Sequence, residues 1–251
     1  MVHKWEITIP EISGDMVRRC YAYVPGDYDY YTERRYPVMY MFDGQNVFFD
    51  SDATYGKSWG MANYLDRHRV QMIVVAVECN YVGTGRLEEY APFSFENETL
   101  GVIEGRGKQY MDWLVQEFKP YIDDSFRTLP GREHTYICGS SMGGLMALYG
   151  GCTYNRYFKY AAALSPSLWV DPVQAESMIL TAKIRNDTCI YMDYGALEIY
   201  NHSDNVDALT MAAHCLISKR VNLTFRIVPG GKHCEASWER QIPVFMRCLE
   251  V

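Results

Sequence analysis

The sequence has no long apolar run and no excess of basic residues, and each absence excludes a class of protein. No stretch approaches the roughly 20 apolar residues of a transmembrane helix. Residues 1–10 contain no apolar run of signal-peptide length. The formal net charge of -7 argues against a nucleic-acid partner, because phosphate binding needs clustered Lys and Arg. We therefore expect neither a membrane nor a nucleic-acid partner.

Paired cysteines are also missing. The eight cysteines lie singly, without the C-x-x-C spacing of zinc sites or redox pairs. Most lie inside apolar runs, where a thiol packs as a small hydrophobic group. Reduced thiols are typical of the cytoplasm, so we predict a cytoplasmic protein.

The order of predicted elements indicates an α/β protein. The chain has no internal repeat, low-complexity tract or linker, which indicates one domain over residues 1–251. Apolar and β-rich runs predict strands at residues 5–9, 17–24, 37–42, 71–77, 135–138, 160–164, 188–194 and 223–228. Patterning predicts helices at residues 107–122, 142–151, 172–184, 204–219 and 236–249. The turn Ser13-Gly14-Asp15 predicts a hairpin between the first two strands. The alternation that follows predicts about eight strands, mostly parallel, with helices on both faces.

A glycine-rich turn carries the clearest chemical signal. Residues 139–144 (GSSMGG) contain one G-x-S-x-G motif centred on Ser141, between a predicted strand and a predicted helix. This context is typical of the nucleophile elbow of α/β-hydrolases, where small residues permit a strained turn. The alternatives are a glycine-rich turn without chemistry and a dinucleotide site, but the G-x-G-x-x-G pattern is absent. We predict the α/β-hydrolase fold, with Ser141 as nucleophile.

His233 is the predicted general base. A serine hydroxyl needs a base to remove its proton. His233 follows the last predicted strand and precedes the last helix, the position of the base in this fold. Among the other histidines, His202 is the competitor.

The acid of the triad must lie between Ser141 and His233 in the chain. Glu198, in the loop after the strand at residues 188–194, is preferred. Asp193 lies within that strand, with its side chain directed either into the sheet or toward the loop. Asp204 and Asp171 look like helix N-caps.

An oxyanion hole needs two backbone N–H groups near the nucleophile. Met142, directly after Ser141, is placed to supply one of them. The turn at residues 43–46 (DGQN) follows the third predicted strand and is expected to supply the other, from Gln45 or Gly44.

Several segments in the same order resemble the putative-esterase family, which is related to esterase D, feruloyl and acetylxylan esterases, enterochelin esterases and mycolyltransferases. The resemblance covers nearly the whole chain. It rests on residues 39–48 (MYMFDGQNVF), 58–60 (SWG), 86–93 (RLEEYAPF), 119–123 (KPYID), 126–128 (FRT), 139–144, 164–169 (LSPSLW) and 233–238 (HCEASW), and on Gly195 with Glu198.

The resemblance implies specific roles for residues of this chain. It implies a triad of Ser141, Glu198 and His233, with an oxyanion hole formed by the N–H groups of Gln45 and Met142. It further implies that three tryptophans stand near the substrate pocket: Trp59, Trp169 and Trp238. An ion pair between Arg86 and Glu89 is expected to brace the loop above the site. Residues 80–107 are short and show no separate lid, which argues against large lipid substrates.

These observations predict a serine esterase that hydrolyses carboxylic esters through an acyl-enzyme, with no metal or organic cofactor. Small or carbohydrate-linked esters of acetyl or feruloyl type are the expected substrates. The alternatives are an acyltransferase that uses the same triad and a non-catalytic binding protein that keeps the fold. A homodimer is compatible with the family.

Overall fold

The computed structural model describes residues 1–198 and 203–250, without the side chains of residues 203–205. The strands are β1 (Val2–Thr8), β2 (Val17–Tyr23), β3 (Val38–Met41), β4 (Ile73–Val77), β5 (Phe95–Asn97), β6 (Gly101–Ile103), β7 (Thr135–Ser140), β8 (Tyr160–Leu164), β9 (Cys189–Gly195) and β10 (Asn222–Val228). The helices are α1 (Pro10–Ser13), α2 (Met61–His68), α3 (Gly85–Glu89), α4 (Gly107–Trp113), α5 (Lys119–Ser125), α6 (Met142–Thr153), α7 (Pro172–Thr181), α8 (Ser203–Ser218), α9 (Glu235–Glu239) and α10 (Ile242–Cys248).

Eight strands form one sheet in the order β1-β2-β4-β3-β7-β8-β9-β10. The pairs β1–β2 and β2–β4 are antiparallel, and the pairs from β4 to β10 are parallel. The predicted mostly parallel sheet of about eight strands is therefore confirmed.

Helices cover both faces of this sheet. Buried side chains of α4 to α8 pack on one face, and those of α2 and α10 pack on the other. All five residues of β4 are buried, as expected for a central strand with both faces covered. Because β3, β7, β8, β9 and β10 run in the same direction, the loops that follow them meet at one edge of the sheet.

The structure differs from the predicted elements in six places. The β1–β2 connection contains the short helix α1 before Gly14, whose φ is 57°. The helix predicted at residues 107–122 continues through a π-helical turn at Leu114–Phe118 to the end of α5. The helix predicted at residues 236–249 is two helices, because Pro243, in the first turn of α10, lacks the N–H that would continue the preceding helix. The elements α2, α3 and the β5–β6 hairpin were not predicted, since their apolar runs are short.

No helix in the described part of the chain is long and apolar enough to cross a bilayer.

A buried ion pair fixes the segment beyond β4 to the sheet. The side chains of Arg18, on β2, and Glu89, on α3, are fully buried, and two hydrogen bonds of 2.9 and 3.2 Å join them. Glu89 also accepts a hydrogen bond from the backbone N–H of Asn80 at 2.7 Å. Because neither side chain contacts solvent, each charge needs the other as its neutralising partner.

Replacement of Glu89 by Gln is expected to leave the Arg18 guanidinium buried without its counter-charge. We expect the free energy of unfolding to fall by about 3–5 kcal/mol, measured by urea denaturation. The matched control is Glu104→Gln, which removes an exposed partner of Arg106 and should leave the urea midpoint unchanged. An equal midpoint shift in both variants would contradict the importance of the buried pair.

Candidate active site

Ser141 occupies the turn between β7 and α6. Its backbone has φ 58° and ψ -124°, a region that residues with a side chain rarely adopt. A Cβ atom on Gly139 would lie 2.5 Å from the carbonyl oxygen of Gly143, so only glycine permits this turn. The Ser141 N–H donates to the carbonyl of Leu164, at the end of β8, at 3.0 Å. The turn therefore holds the hydroxyl of Ser141 at the carboxyl edge of the sheet.

His233 reaches Ser141 from the loop after β10. Its Nε2 lies 2.9 Å from Ser141 Oγ. Trp238 packs edge-on against the imidazole, with 5.0 Å between ring centroids. The loop is seated closely on β9, because a Cβ atom on Gly195 would lie 2.5 Å from the Gly231 carbonyl oxygen. These contacts limit the orientation of the imidazole.

Glu198 contacts the far side of the same ring. Its Oε2 lies 2.6 Å from His233 Nδ1, and the residue is 4% exposed. Its Oε1 accepts hydrogen bonds from the Gly195 N–H at 2.9 Å and from Ser165 Oγ at 2.8 Å. A carboxylate at Nδ1 favours the tautomer with the proton on that nitrogen. The lone pair of Nε2 then faces the hydroxyl of Ser141.

The alternative acids have other partners. Asp193 lies in β9, where it accepts hydrogen bonds from the Tyr191 hydroxyl at 2.6 Å and the Ser165 N–H at 3.3 Å. Burial raises the pKa of Asp193 to about 6, partly opposed by these bonds. Asp171 caps α7 by accepting from the Gln174 N–H at 2.9 Å. The side chain of Asp204 and the whole of His202 lie outside the described residues.

Ser165 was not predicted as a site residue, yet it connects three parts of the site. It follows β8 with φ 43°, a left-handed conformation that is uncommon for serine. Its hydroxyl donates to Glu198 and accepts a hydrogen bond from Trp238 Nε1 at 3.0 Å. The position of Ser165 directly after a parallel strand was the signal that could have revealed it.

The turn after β3 lies beside the nucleophile. A Cβ atom on Gly44 would lie 2.7 Å from the Val77 carbonyl carbon, so this turn packs directly against the end of β4. The Gln45 side chain is fixed by Cys79, whose N–H donates to Gln45 Oε1 at 3.2 Å. The N–H groups of Gln45 and Met142 lie in the first turns of the short 3-10 helix Gly44–Asn46 and of α6, where backbone donors have no intrahelical partner.

The expected pairing of Arg86 with Glu89 is wrong. Arg86 instead donates two hydrogen bonds to the Asp43 carboxylate, at 2.6 and 2.8 Å. Glu89 pairs with Arg18, as described above. Asp43 immediately precedes Gly44 and has φ 56°. Arg86 therefore braces the turn that carries Gln45. It does so through Asp43 and not through an ion pair with Glu89.

A cleft of about 700 Å³ opens over these residues. Its wall includes Gln45, Ser141, His233 and Trp238. Of the three predicted pocket tryptophans, the structure brings only Trp238 to this wall. Trp59 is buried behind it, with 6.0 Å between the ring centroids. Trp169 packs instead against Phe95 of the β5–β6 hairpin.

Within the described ranges, no group of three or more His, Cys, Asp or Glu side chains is arranged to hold a metal ion. Instead, Ser141 and His233 at the cleft wall and the buried Glu198 form one hydrogen-bonded line of hydroxyl, imidazole and carboxylate. Such a line can transfer a proton away from the hydroxyl and so make it nucleophilic.

Comparison with known proteins identifies the family of the chain. The family model described as "Putative esterase" matches residues 15–245. The chain is 20% identical over 183 residues to the uncharacterized protein YbbA of Bacillus subtilis (strain 168), which covers 72% of this chain and 69% of YbbA.

Solved structures share the fold. An IroE-like serine hydrolase from Shewanella oneidensis aligns with a TM-score of 0.76 and 18% identity, over 100% of this chain and 80% of that one. A ferulic acid esterase aligns with a TM-score of 0.70 and 18% identity, over 99% and 98% of the two chains. The predicted α/β-hydrolase fold is thereby confirmed.

A fluorophosphonate, which reacts with activated serines, should label Ser141. We expect Ser165→Ala to slow this labelling about tenfold, because Glu198 then loses one hydrogen bond to its charged form. The measurement is the rate of adduct formation by mass spectrometry, with Ser141→Ala as the unlabelled reference.

The matched control is Ser177→Ala, which removes an exposed hydroxyl on α7 and should label at the wild-type rate. Labelling of Ser177 in preference to Ser141, or an unchanged rate in Ser165→Ala, would contradict this account of the site.

Proposed function

Because this chain belongs to the putative esterase family, we propose that it is a serine esterase in which Ser141, His233 and Glu198 hydrolyse carboxylic esters. The observation that carries the proposal is the pair of hydrogen bonds at His233: 2.9 Å to Ser141 Oγ and 2.6 Å to Glu198 Oε2. No packing requirement explains a buried carboxylate, an imidazole and a strained serine in one line.

The reaction begins when Ser141 Oγ attacks the ester carbonyl and His233 Nε2 takes its proton. Glu198 stabilises the imidazolium that forms, because its carboxylate lies at Nδ1. The N–H groups of Met142 and Gln45 donate to the oxyanion of the tetrahedral intermediate. His233 then gives the proton to the leaving alcohol, and an acyl-enzyme remains on Ser141.

Water completes the cycle. His233 removes a proton from a water molecule, which attacks the acyl carbonyl, and the same donors stabilise the second oxyanion. Collapse of this intermediate releases the carboxylic acid and restores the hydroxyl of Ser141. Each step uses side chains and backbone groups of this chain. The ester and water are the reactants, and every proton taken up by His233 is returned to a product or to Ser141.

The cleft supports a small substrate. Its volume of about 700 Å³ is within the range of small-molecule sites. Tyr55 and Tyr81 line it and are largely exposed, which suits a flat or sugar-bearing group. We propose small esters, with carbohydrate-linked and small aryl esters as the first classes to assay.

Hydrolysis of p-nitrophenyl acetate tests the proposal. We expect Ser141→Ala and His233→Ala to lower kcat by at least about a thousandfold, because each removes a group that acts as part of one unit. Glu198→Gln should lower kcat by about a hundredfold or more, since the amide cannot stabilise the imidazolium.

The matched control for the base is His214→Ala, an exposed histidine on α8 whose loss should not change kcat. Full activity of Ser141→Ala would contradict the proposal. Labelling of Ser141 by the fluorophosphonate in an enzyme that does not hydrolyse this ester would mean that Ser141 is activated but that the acetyl ester is not a substrate.

A further inference from the structure

One buried carboxylate of the cleft wall has neither a role in the proposed reaction nor an ion-pair partner among the described residues. Glu235 lies two residues beyond His233, in the first turn of α9, and lines the cleft with Ser141. It is 6% exposed. Asn46 Nδ2 donates to its Oε1 at 3.3 Å, and no Lys or Arg among the described residues forms an ion pair with it. Burial raises the pKa of Glu235, as does the nearby Asp43 carboxylate, whereas its own backbone N–H, His233 and Arg86 oppose that rise.

The other acidic groups of the cleft wall are neutralised within the protein. Each pairs with a cation at 2.6 Å: Asp43 with Arg86, Glu78 with Arg19, and Asp52 with Lys4. His233 acts as a base in the proposed reaction, so it is uncharged when the substrate arrives. Among the acidic side chains of the wall, Glu235 is therefore the one without a paired cation in the described part of the chain.

Two aromatic rings line the same cleft. Tyr55 is 81% exposed and Tyr81 is 68% exposed, so their rings can contact a bound molecule. Aromatic faces attract cations through their quadrupole. A neutral hydroxyl could donate a hydrogen bond to Glu235, but it would leave the carboxylate without a paired cation in a buried position. A cationic group satisfies both the carboxylate and the rings.

We propose that Glu235, together with Tyr55 and Tyr81, binds an ammonium group of the substrate, so that the substrates are esters carrying a positive charge. This inference rests on the proposed esterase function and narrows its substrate class. It assigns Glu235 to substrate specificity rather than to the proton transfers at Ser141.

Isosteric ester pairs test the charge directly. For a cation in the alcohol, the pair is acetylcholine and 3,3-dimethylbutyl acetate. For a cation in the acyl group, it is the p-nitrophenyl esters of 4-(trimethylammonio)butyrate and 5,5-dimethylhexanoate. Quaternary ammonium is used because a primary amine would attack its own ester. The measured quantity is the ratio of kcat/KM for the cationic and neutral members.

We expect the wild type to prefer the cationic member of at least one pair by about tenfold or more. Glu235→Gln should bring that ratio close to one, because loss of the charge lowers kcat/KM for the cationic member more than for the neutral member. The pair that shows the preference identifies whether the ammonium belongs to the acid or to the alcohol.

The matched control is Glu239→Gln, on the same helix, whose carboxylate pairs with Lys57 at 2.8 Å. This variant should keep the wild-type ratio. The inference is overturned if the wild-type ratio is close to one in both pairs. It is also overturned if Glu235→Gln slows the cationic and neutral esters equally, because the carboxylate then acts on His233 and not on the substrate.

Binding of choline, measured by calorimetry, separates this inference from the proposed function. Binding that Glu235→Gln weakens about tenfold, in a protein that hydrolyses none of the esters, supports the ammonium site and contradicts the esterase. Hydrolysis of the neutral esters without choline binding, and with a ratio close to one, supports the esterase and contradicts the ammonium site.

Discussion

The backbone of Ser141 is held at φ 58°, and the arrangement of the site depends on this one strained residue. A residue with a side chain adopts such a conformation only where its surroundings determine it fully. Here the surroundings are the end of β7, the start of α6 and the hydrogen bond from Ser141 N–H to Leu164. Gly139 and Gly143 keep space for the turn. The turn holds the hydroxyl at the carboxyl edge of the sheet, where the loops after β9 and β10 also lie.

The second requirement is a buried carboxylate that contacts the imidazole. Asp193 and Glu198 lie close together in sequence, but their side chains have different surroundings. Glu198 faces a histidine and receives two further hydrogen bonds, from Gly195 and Ser165. Asp193, within the sheet, has a pKa raised to about 6 by burial. The contact with His233 therefore makes Glu198, and not Asp193, the proposed partner for an imidazolium.

The sequence predicted the sheet well, because its strands are apolar runs bounded by clear turns. The same regularity pointed to Ser141, directly after β7, and to His233, in the loop after β10. Long-range pairing could not be predicted: Arg86 has an acid three residues away, yet its partner Asp43 lies 43 residues earlier in the chain. The short elements α2, α3 and β5–β6 carry too few residues for a periodic pattern. Trp59 and Trp169 illustrate that a tryptophan near a motif can equally be core or surface, since sequence does not give its direction.

The central claim is that Ser141 is the nucleophile and that the N–H groups of Gln45 and Met142 stabilise the tetrahedral oxyanion formed on it. The most direct measurement is a crystal structure of the phosphonate adduct, because its phosphoryl oxygen takes the place of that oxyanion. We predict phosphorus bonded to Ser141 Oγ, with the phosphoryl oxygen about 3 Å from the backbone nitrogens of both Gln45 and Met142. A phosphoryl oxygen that points into solvent, with neither nitrogen within hydrogen-bonding distance, would contradict the account.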